Sequence, residues 1–315
     1  MPFNDSLLFL TGCQIMNKKW IIFIRKGYLL IFLAVVACVF TRANAASQIL
    51  SSCQGVNVST SCLASRQSLS GSMQTWSVAD GQWLIFSSMA NDASGGAVFL
   101  QQGADFILSA QGGTGMTLFE NNTVSGEYNN GGAIFAKENS TLNLTQVIFD
   151  SNVAGGYGGA IYSAGTNDAG DIDLSVTNAV FTGNIANDGK GGAIYSINNN
   201  IYLNNTIFNH NRAYTSTSYS DGDGGAIDIT DNNTETIHPS EFTIINNTTF
   251  TDNIAEGYGG AIYSSSTNSP YLIDISVDAS YSYNGGVLMD ENNSAAGYGD
   301  APSASAGGFM YIDSS

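Results

Sequence analysis

Positive charge is almost missing from most of this 315-residue chain. Past residue 45 only Arg66, Lys137, Lys190 and Arg212 stand against 25 acidic residues, a net charge of −21. Such a surface repels nucleic acid and anionic membranes, so neither is expected as a partner. Cysteine is scarce as well. Beyond residue 45 only Cys53 and Cys62 remain, with no His, Asp or Glu between them. A metal site needs more ligands close by, whereas an exported chain most simply joins such a pair as a disulfide pinning an N-terminal cap. Proline after residue 45 occurs only at 239, 270 and 302. The stretches between are free of the residue that cannot donate to a β-ladder.

A convergent set of titratable groups is missing too, which argues against an enzyme. A glycosidase needs two carboxylates at fixed separation, and the pairs Asp171/Asp173 and Asp228/Asp231 read as solvent-facing positions of strands. A polysaccharide lyase needs a basic proton abstractor, yet Lys137, Lys190 and Arg212 stand apart, each near a linker. His210 and His238 read as solvated corner residues. The sharpest metal motif is Asp221-Gly222-Asp223-Gly224, with Asp228 as a further ligand. It begins like a calcium loop and lacks the later ligands, so it stands as a weak calcium candidate and no cofactor is expected.

Long apolar runs are absent except near the start. Lys18, Lys19, Arg25 and Lys26 precede an apolar run from Tyr28 to Phe40 and the small-residue site Ala43-Asn44-Ala45. This is the pattern of a secretory signal, with Met16 read as the true start and Ala46 as the mature N-terminus. The run is too short to favour a retained anchor. A lipoprotein signal ending at Cys38 is the weaker alternative, because the run continues past it. Residues 1–45 are therefore assigned to a signal peptide, 46–80 to an N-terminal cap and 81–315 to repeats.

What the sequence has in abundance is repetition. Gly-Gly-Ala-Ile-Tyr opens at Gly95, Gly131, Gly158, Gly191, Gly224 and Gly259, with degenerate returns at Gly285 and Gly307, at spacings of 36, 27, 33, 33, 35, 26 and 22 residues. Ahead of it stands Phe-x-x-Asn, at Phe119/Asn122, Phe149/Asn152, Phe181/Asn184, Phe208/Asn211 and Phe250/Asn253. Self-similarity at this period marks a solenoid. A third segment alternates apolar and polar residues, as in Asp171-Ile-Asp-Leu-Ser-Val176, with equivalents at 141–144, 200–203, 241–244 and 271–275. The fold class expected is all-β, a right-handed parallel β-helix with three strands per coil.

Comparing the copies assigns faces. The fourth position of the phrase is always aliphatic or Met, while the fifth admits Asp228, and a position that accepts a carboxylate does not suit a dry core. The fourth position and the Phe of Phe-x-x-Asn are therefore placed inward. Phe99, Phe135, Tyr162, Tyr195 and Tyr263 are placed on an outer face as a ribbon of rings. The paired glycines are expected to supply a bend or a close approach. The Asn is expected at a corner, in left-handed backbone, bonded to its stacked equivalents.

Alternating GGA-[Ile/Val] and Phe-x-x-Asn phrases over residues 95–262 resemble the passenger region of the chlamydial polymorphic outer membrane proteins, autotransporter-type adhesins. The resemblance implies a surface-exposed β-helix that attaches to a host-cell protein or glycan through the phrases themselves. Here these are Gly131-Gly132-Ala133-Ile134, Gly158-Gly159-Ala160-Ile161-Tyr162, Gly191-Gly192-Ala193-Ile194-Tyr195 and Gly259-Gly260-Ala261-Ile262-Tyr263, with Phe149, Asn152, Phe181, Asn184, Phe208, Asn211, Phe250 and Asn253. Family members usually continue into an outer-membrane β-barrel, and residues 285–315 show none of its alternating strands. Contact with the outer membrane is therefore expected only through a missing or separate barrel. Cell-surface and secreted locations both fit, and a purely structural envelope or spacer solenoid is the alternative to an adhesin.

Overall fold

The computed structural model describes residues 57–58, 60–70, 73–110, 113–165, 174–215, 222–232 and 241–266, with further strands at 274–278, 289–291, 294–295 and 310–313. The proposed signal peptide, Cys53, Asp171, Asp173, Asp221 and His238 lie outside the described residues. Every strand pairing among the described residues is parallel, and the strands form three sheets of eight, seven and 14 strands. This is the three-faced parallel β-helix that the repeats predict.

The first sheet is built by the glycine phrase: Val98–Leu100, Ile134–Ala136, Ile161–Ala164, Ile194–Ile197, Ile227–Asp231 and Ile262–Ser266 lie one above another. The register stacks Val98, Ile134, Ile161, Ile194, Ile227 and Ile262 on one another, all fully buried. The largest sheet takes two segments from each coil, such as Leu142–Thr145 and Val147–Asp150. In the next coils these fuse into single nine-residue strands, Leu174–Thr182 and Ile201–Asn209. The break between the two segments is a left-handed residue, Gln146, with Asn178, Asn205 and Asn246 in the same role, at φ between 51° and 56°. Asn tolerates this conformation at little cost.

The remaining sheet consists of strands only two residues long: Thr123–Val124, Val153–Ala154, Ile185–Ala186, Arg212–Ala213 and Ile254–Ala255. Each coil thus has three faces but four strand segments, one more than the expected three. A two-residue strand has no readable period. Its signature is the small or aliphatic residue two places after each Asn.

Phe86, Phe119, Phe149, Phe181, Phe208 and Phe250 form a continuous interior stack, with centroids 4.7–4.9 Å apart and planes within 9°. All six are fully buried. Burial of each is worth roughly 1.5–3 kcal/mol. Phe86 belongs to a copy that the sequence reading passed over, because Met89 stands where Asn is required.

Strand Gln67–Leu69 already pairs with Val98–Leu100, and Gln74–Val78 with Phe106–Ala110, so parallel pairing begins within the segment expected as a cap. At the other end Met289, the fifth residue of the degenerate phrase at Gly285, opens the strand Met289–Glu291, which stacks on Thr249–Thr251 rather than in the sheet of the glycine phrase and puts Asp290 in the register of Phe250, while Met310–Asp313 stacks on the strand at Ile262.

Candidate functional site

The glycine pair divides its labour. The first glycine has φ of 64° to 72° in every described copy, and a Cβ there would come within 2.4 Å of its own coil's backbone, as from Gly158 to the Ile161 carbonyl at 2.1 Å. The second meets the next coil. A Cβ on Gly159 would lie 2.1 Å from the Gly192 carbonyl oxygen, and one on Gly192 equally close to Gly225. One glycine makes the bend and the other permits the close stacking.

Asn122, Asn152, Asn184, Asn211 and Asn253 are fully buried. Asn152 Nδ2 donates to Asn184 Oδ1 at 2.9 Å and to the Phe119 carbonyl at 3.0 Å, and Asn184 Oδ1 also accepts from the Asn152 N–H at 3.1 Å. The same bonds recur at each rung. The amide is used completely, as a buried polar group must be. The left-handed residue is not this Asn but the one before it: Asn121, Ser151, Gly183, His210 and Asp252. A small or polar residue, exposed or half-buried, turns the corner, and the Asn fastens it from inside.

The phrases are therefore not the contact surface that the resemblance implies. Gly131 to Ile134, Gly158 to Ile161, Gly191 to Tyr195 and Gly259 to Tyr263 are buried, as are Phe149, Asn152, Phe181, Asn184, Phe208, Asn211, Phe250 and Asn253. These residues hold the coils together, and a partner cannot reach them.

The expected ribbon of exposed rings is also revised. Phe99, Phe135, Tyr162 and Tyr195 do stack on the outer side of their sheet, at 4.8–5.4 Å. Phe99, Phe135 and Tyr162 are half-buried, but Tyr195 and Tyr263 are only 8% and 6% exposed, and Asp228 is fully buried. The cover comes from the residue immediately before each glycine pair. Tyr157 stacks on Tyr195 at 4.9 Å, Tyr258 on Tyr263 at 6.4 Å, and Lys190 Nζ lies 5.1 Å from the Tyr263 ring.

A buried ionic cluster results. Lys190 Nζ is 3.0 Å from Asp223 Oδ2, with Asp223 at 3% side-chain exposure. Asp223 Oδ1 accepts the Tyr258 N–H at 2.8 Å, and Thr230 Oγ1 donates to Asp228 Oδ1 at 2.8 Å. Burial works against the Lys190 cation, but Asp228 and then Asp223 outweigh it and raise its pKa well above the ordinary value. Tyr195 is also pushed up, by burial and by Asp228, against the opposing pull of the Thr230 hydrogen bond and Lys190. Tyr162 is raised by burial and by Glu138.

Asp228 and Asp231, expected to face solvent, are buried instead. Asp223 gives its oxygens to Lys190 and the Tyr258 amide, so the weak calcium motif holds a lysine on the side that is described. Among the described residues no group of three or more His, Cys, Asp or Glu is placed to hold a metal ion. His210 is a corner residue, as expected, at φ 55° with Asp252 3.7 Å away. Arg212 lies 3.5 Å from Glu256 and stacks on Tyr214 at 3.9 Å. Cys62 is disulfide-bonded, and its expected partner Cys53 lies outside the described residues. Sequence reading missed Lys190 as a cluster centre. The signal was present: Tyr157, Lys190, Asp223 and Tyr258 all occupy the place before Gly-Gly.

Buried Phe and Asn ladders joined by paired glycines define a repeat solenoid, and the chain matches the Chlamydia polymorphic membrane protein (Chlamydia_PMP) repeat at residues 117–137, 146–164, 178–197 and 247–265. The coil carrying Asp228 falls between the last two matches. Over 292 residues the chain is 70% identical to a protein of Escherichia coli (strain K12) named Probable autotransporter YfaL, an alignment covering 93% of this chain. The chain spans 23% of that relative's length. No solved structure matches it. The chain thus carries these repeats and is similar to a segment of an autotransporter.

Proposed function

We propose that the chain is an exported, non-catalytic adhesin-like segment that reaches the outer membrane surface and engages a host-cell protein or glycan along an extended flank. The observation that carries this reading is the division between a buried, repeated frame and more open loops that vary from coil to coil. Their described residues lie between the two-residue strands and the glycine phrase, at 125–130, 155–157, 187–190, 214–215, 222–223 and 256–258, where 125–128 and Asn187 are exposed and most of the others half-buried. Backbone bonds keep their described residues in step: Gly156 N–H to Asn129, Gly158 to Lys190, Gly189 to Tyr214, Gly224 to Tyr258 and Gly257 to Gly222. Their side chains differ from coil to coil. Tyr128 is 83% exposed, and Tyr157, Tyr214 and Tyr258 are half-buried at the same edge. Tyrosines presented on a rigid frame suit both protein hot spots and sugar faces.

Saturable binding of residues 46–315 to host cells is expected. The double variant Tyr128→Ser and Tyr214→Ser should fold normally and bind at least about tenfold more weakly, close to 1.4 kcal/mol. Full binding by that variant moves the contact off this edge, and no binding at micromolar protein supports the spacer alternative.

A further inference from the structure

Lys190 and Asp223 occupy the same place on neighbouring coils, each one residue ahead of a Gly-Gly pair. The Gly191 N–H to Asp223 carbonyl bond, at 2.9 Å, fixes their backbones side by side. Nζ of Lys190 rests 3.0 Å from Oδ2 of Asp223, one bond away from Cγ. The other oxygen, Oδ1, accepts the Tyr258 backbone N–H at 2.8 Å. That donor is aimed where charge would build if Cγ became tetrahedral. The Asp223 side chain is 3% exposed, and the Tyr263 ring lies against Nζ, so bulk water is kept from the carbonyl carbon. The second carboxylate, Asp228, is fully buried, and its charge, together with that of Asp223, favours the Lys190 cation.

An amine, a carboxyl carbon with a fixed oxyanion donor and a neighbouring carboxylate in a shielded pocket are the parts of an acyl transfer. We propose that Lys190 and Asp223 condense into an intramolecular isopeptide bond that staples one coil to the next, with Asp228 relaying the proton.

The step balances without a co-reactant. A proton passes from the Lys190 ammonium to Asp228, and the freed amine attacks Cγ of Asp223. The Cγ–Oδ2 bond then breaks. Oδ2 leaves as water with two protons drawn from Nζ, one of them returned by Asp228, and one hydrogen stays on the amide nitrogen. Holding the groups in contact supplies the effective concentration that the free reactants lack.

Intact mass spectrometry of the exported chain tests it. The wild type is expected to be lighter by one water than its sequence, and proteolysis should release one linked peptide containing Lys190 and Asp223. Lys190→Arg keeps the cation but cannot form the amide, so it should show full mass. Asp228→Asn keeps the shape and removes the relay, so it should also stay unlinked. A wild type of full mass after prolonged incubation overturns the proposal. So does loss of water that persists in Lys190→Arg, since Asp223-Gly224 would then have cyclised to a succinimide. The linked peptide is read from wild-type protein, so it decides the matter even if a variant fails to fold.

Discussion

Asn184 shows how much one residue holds. Its amide accepts from Asn152 and donates to Asn211 and to the Phe149 carbonyl, all out of contact with water. Asn184→Ala leaves two donors of Asn152 without their acceptor, and each orphaned buried group costs about 1–3 kcal/mol. A loss of at least about 2 kcal/mol in urea unfolding is expected. The residue beside it should behave oppositely. Gly183 has φ 62°, where the other coils use Asn, Ser, His or Asp, and a Cβ would meet nothing closer than 3.4 Å. Gly183→Asn should therefore be neutral or stabilise by about 0.5 kcal/mol, because the unfolded chain loses freedom. The sequence exposed the Asn ladder but put the left-handed turn on the wrong residue. Spacing locates a corner; only the backbone shows which of two adjacent residues turns it.

Tyr195 marks the other limit at this scale. Reading Asp228 as proof of an outer, wet position would make Tyr195→Asp harmless. The side of the sheet was legible and the wetness was not, since Tyr157 covers the ring and Asp228 is paired with it in register. A new carboxylate there would be buried next to another. Ile194→Asp and Tyr195→Asp are both expected to lose the β-sheet signal in circular dichroism, and a folded Tyr195→Asp would contradict the covered position.

At the scale of the element, the glycine phrase is a spacing device. Gly192→Ala would put a Cβ 2.1 Å from the Gly225 carbonyl and 2.5 Å from the Arg212 nitrogen, both backbone atoms that cannot rotate away. The two coils must part, at a cost of about 3 kcal/mol. A drop of that size in urea unfolding, against no drop for Gly183→Asn, would separate a packing glycine from a turn glycine. Long strands were legible because period two needs four or more residues to show. The two-residue strands were not, because two residues show no period, and the place before Gly-Gly was marked by position alone, since its side chains vary while its backbone bonds do not. The degenerate phrase at Gly285 misled for the converse reason: its fifth residue, Met289, pairs with Thr249, and register, not spelling, decides which ladder a segment joins.

At the scale of the whole molecule, the charge balance sets where the fold gives way. Lys190, Tyr195 and Tyr162 all hold their protons more tightly folded than free. Unfolded lysine and tyrosine titrate near pH 10.4 and 10. Below that range both states carry the same protons, and the groups lend a constant stability. Above it the unfolded chain holds fewer protons than the folded one, so stability falls as pH rises, by up to about 1.4 kcal/mol per pH unit for each group. Where Lys190 is joined to Asp223 it no longer titrates, and only the tyrosines contribute. The urea midpoint should be level from pH 7 to 9 and decline from about pH 10 to 12. Asp228→Asn should flatten the Tyr195 part of that decline, since Asp228 raises the Tyr195 pKa. A midpoint unchanged between pH 9 and 12 would mean that these groups are solvated in the folded chain, and with them the covered corner would be lost.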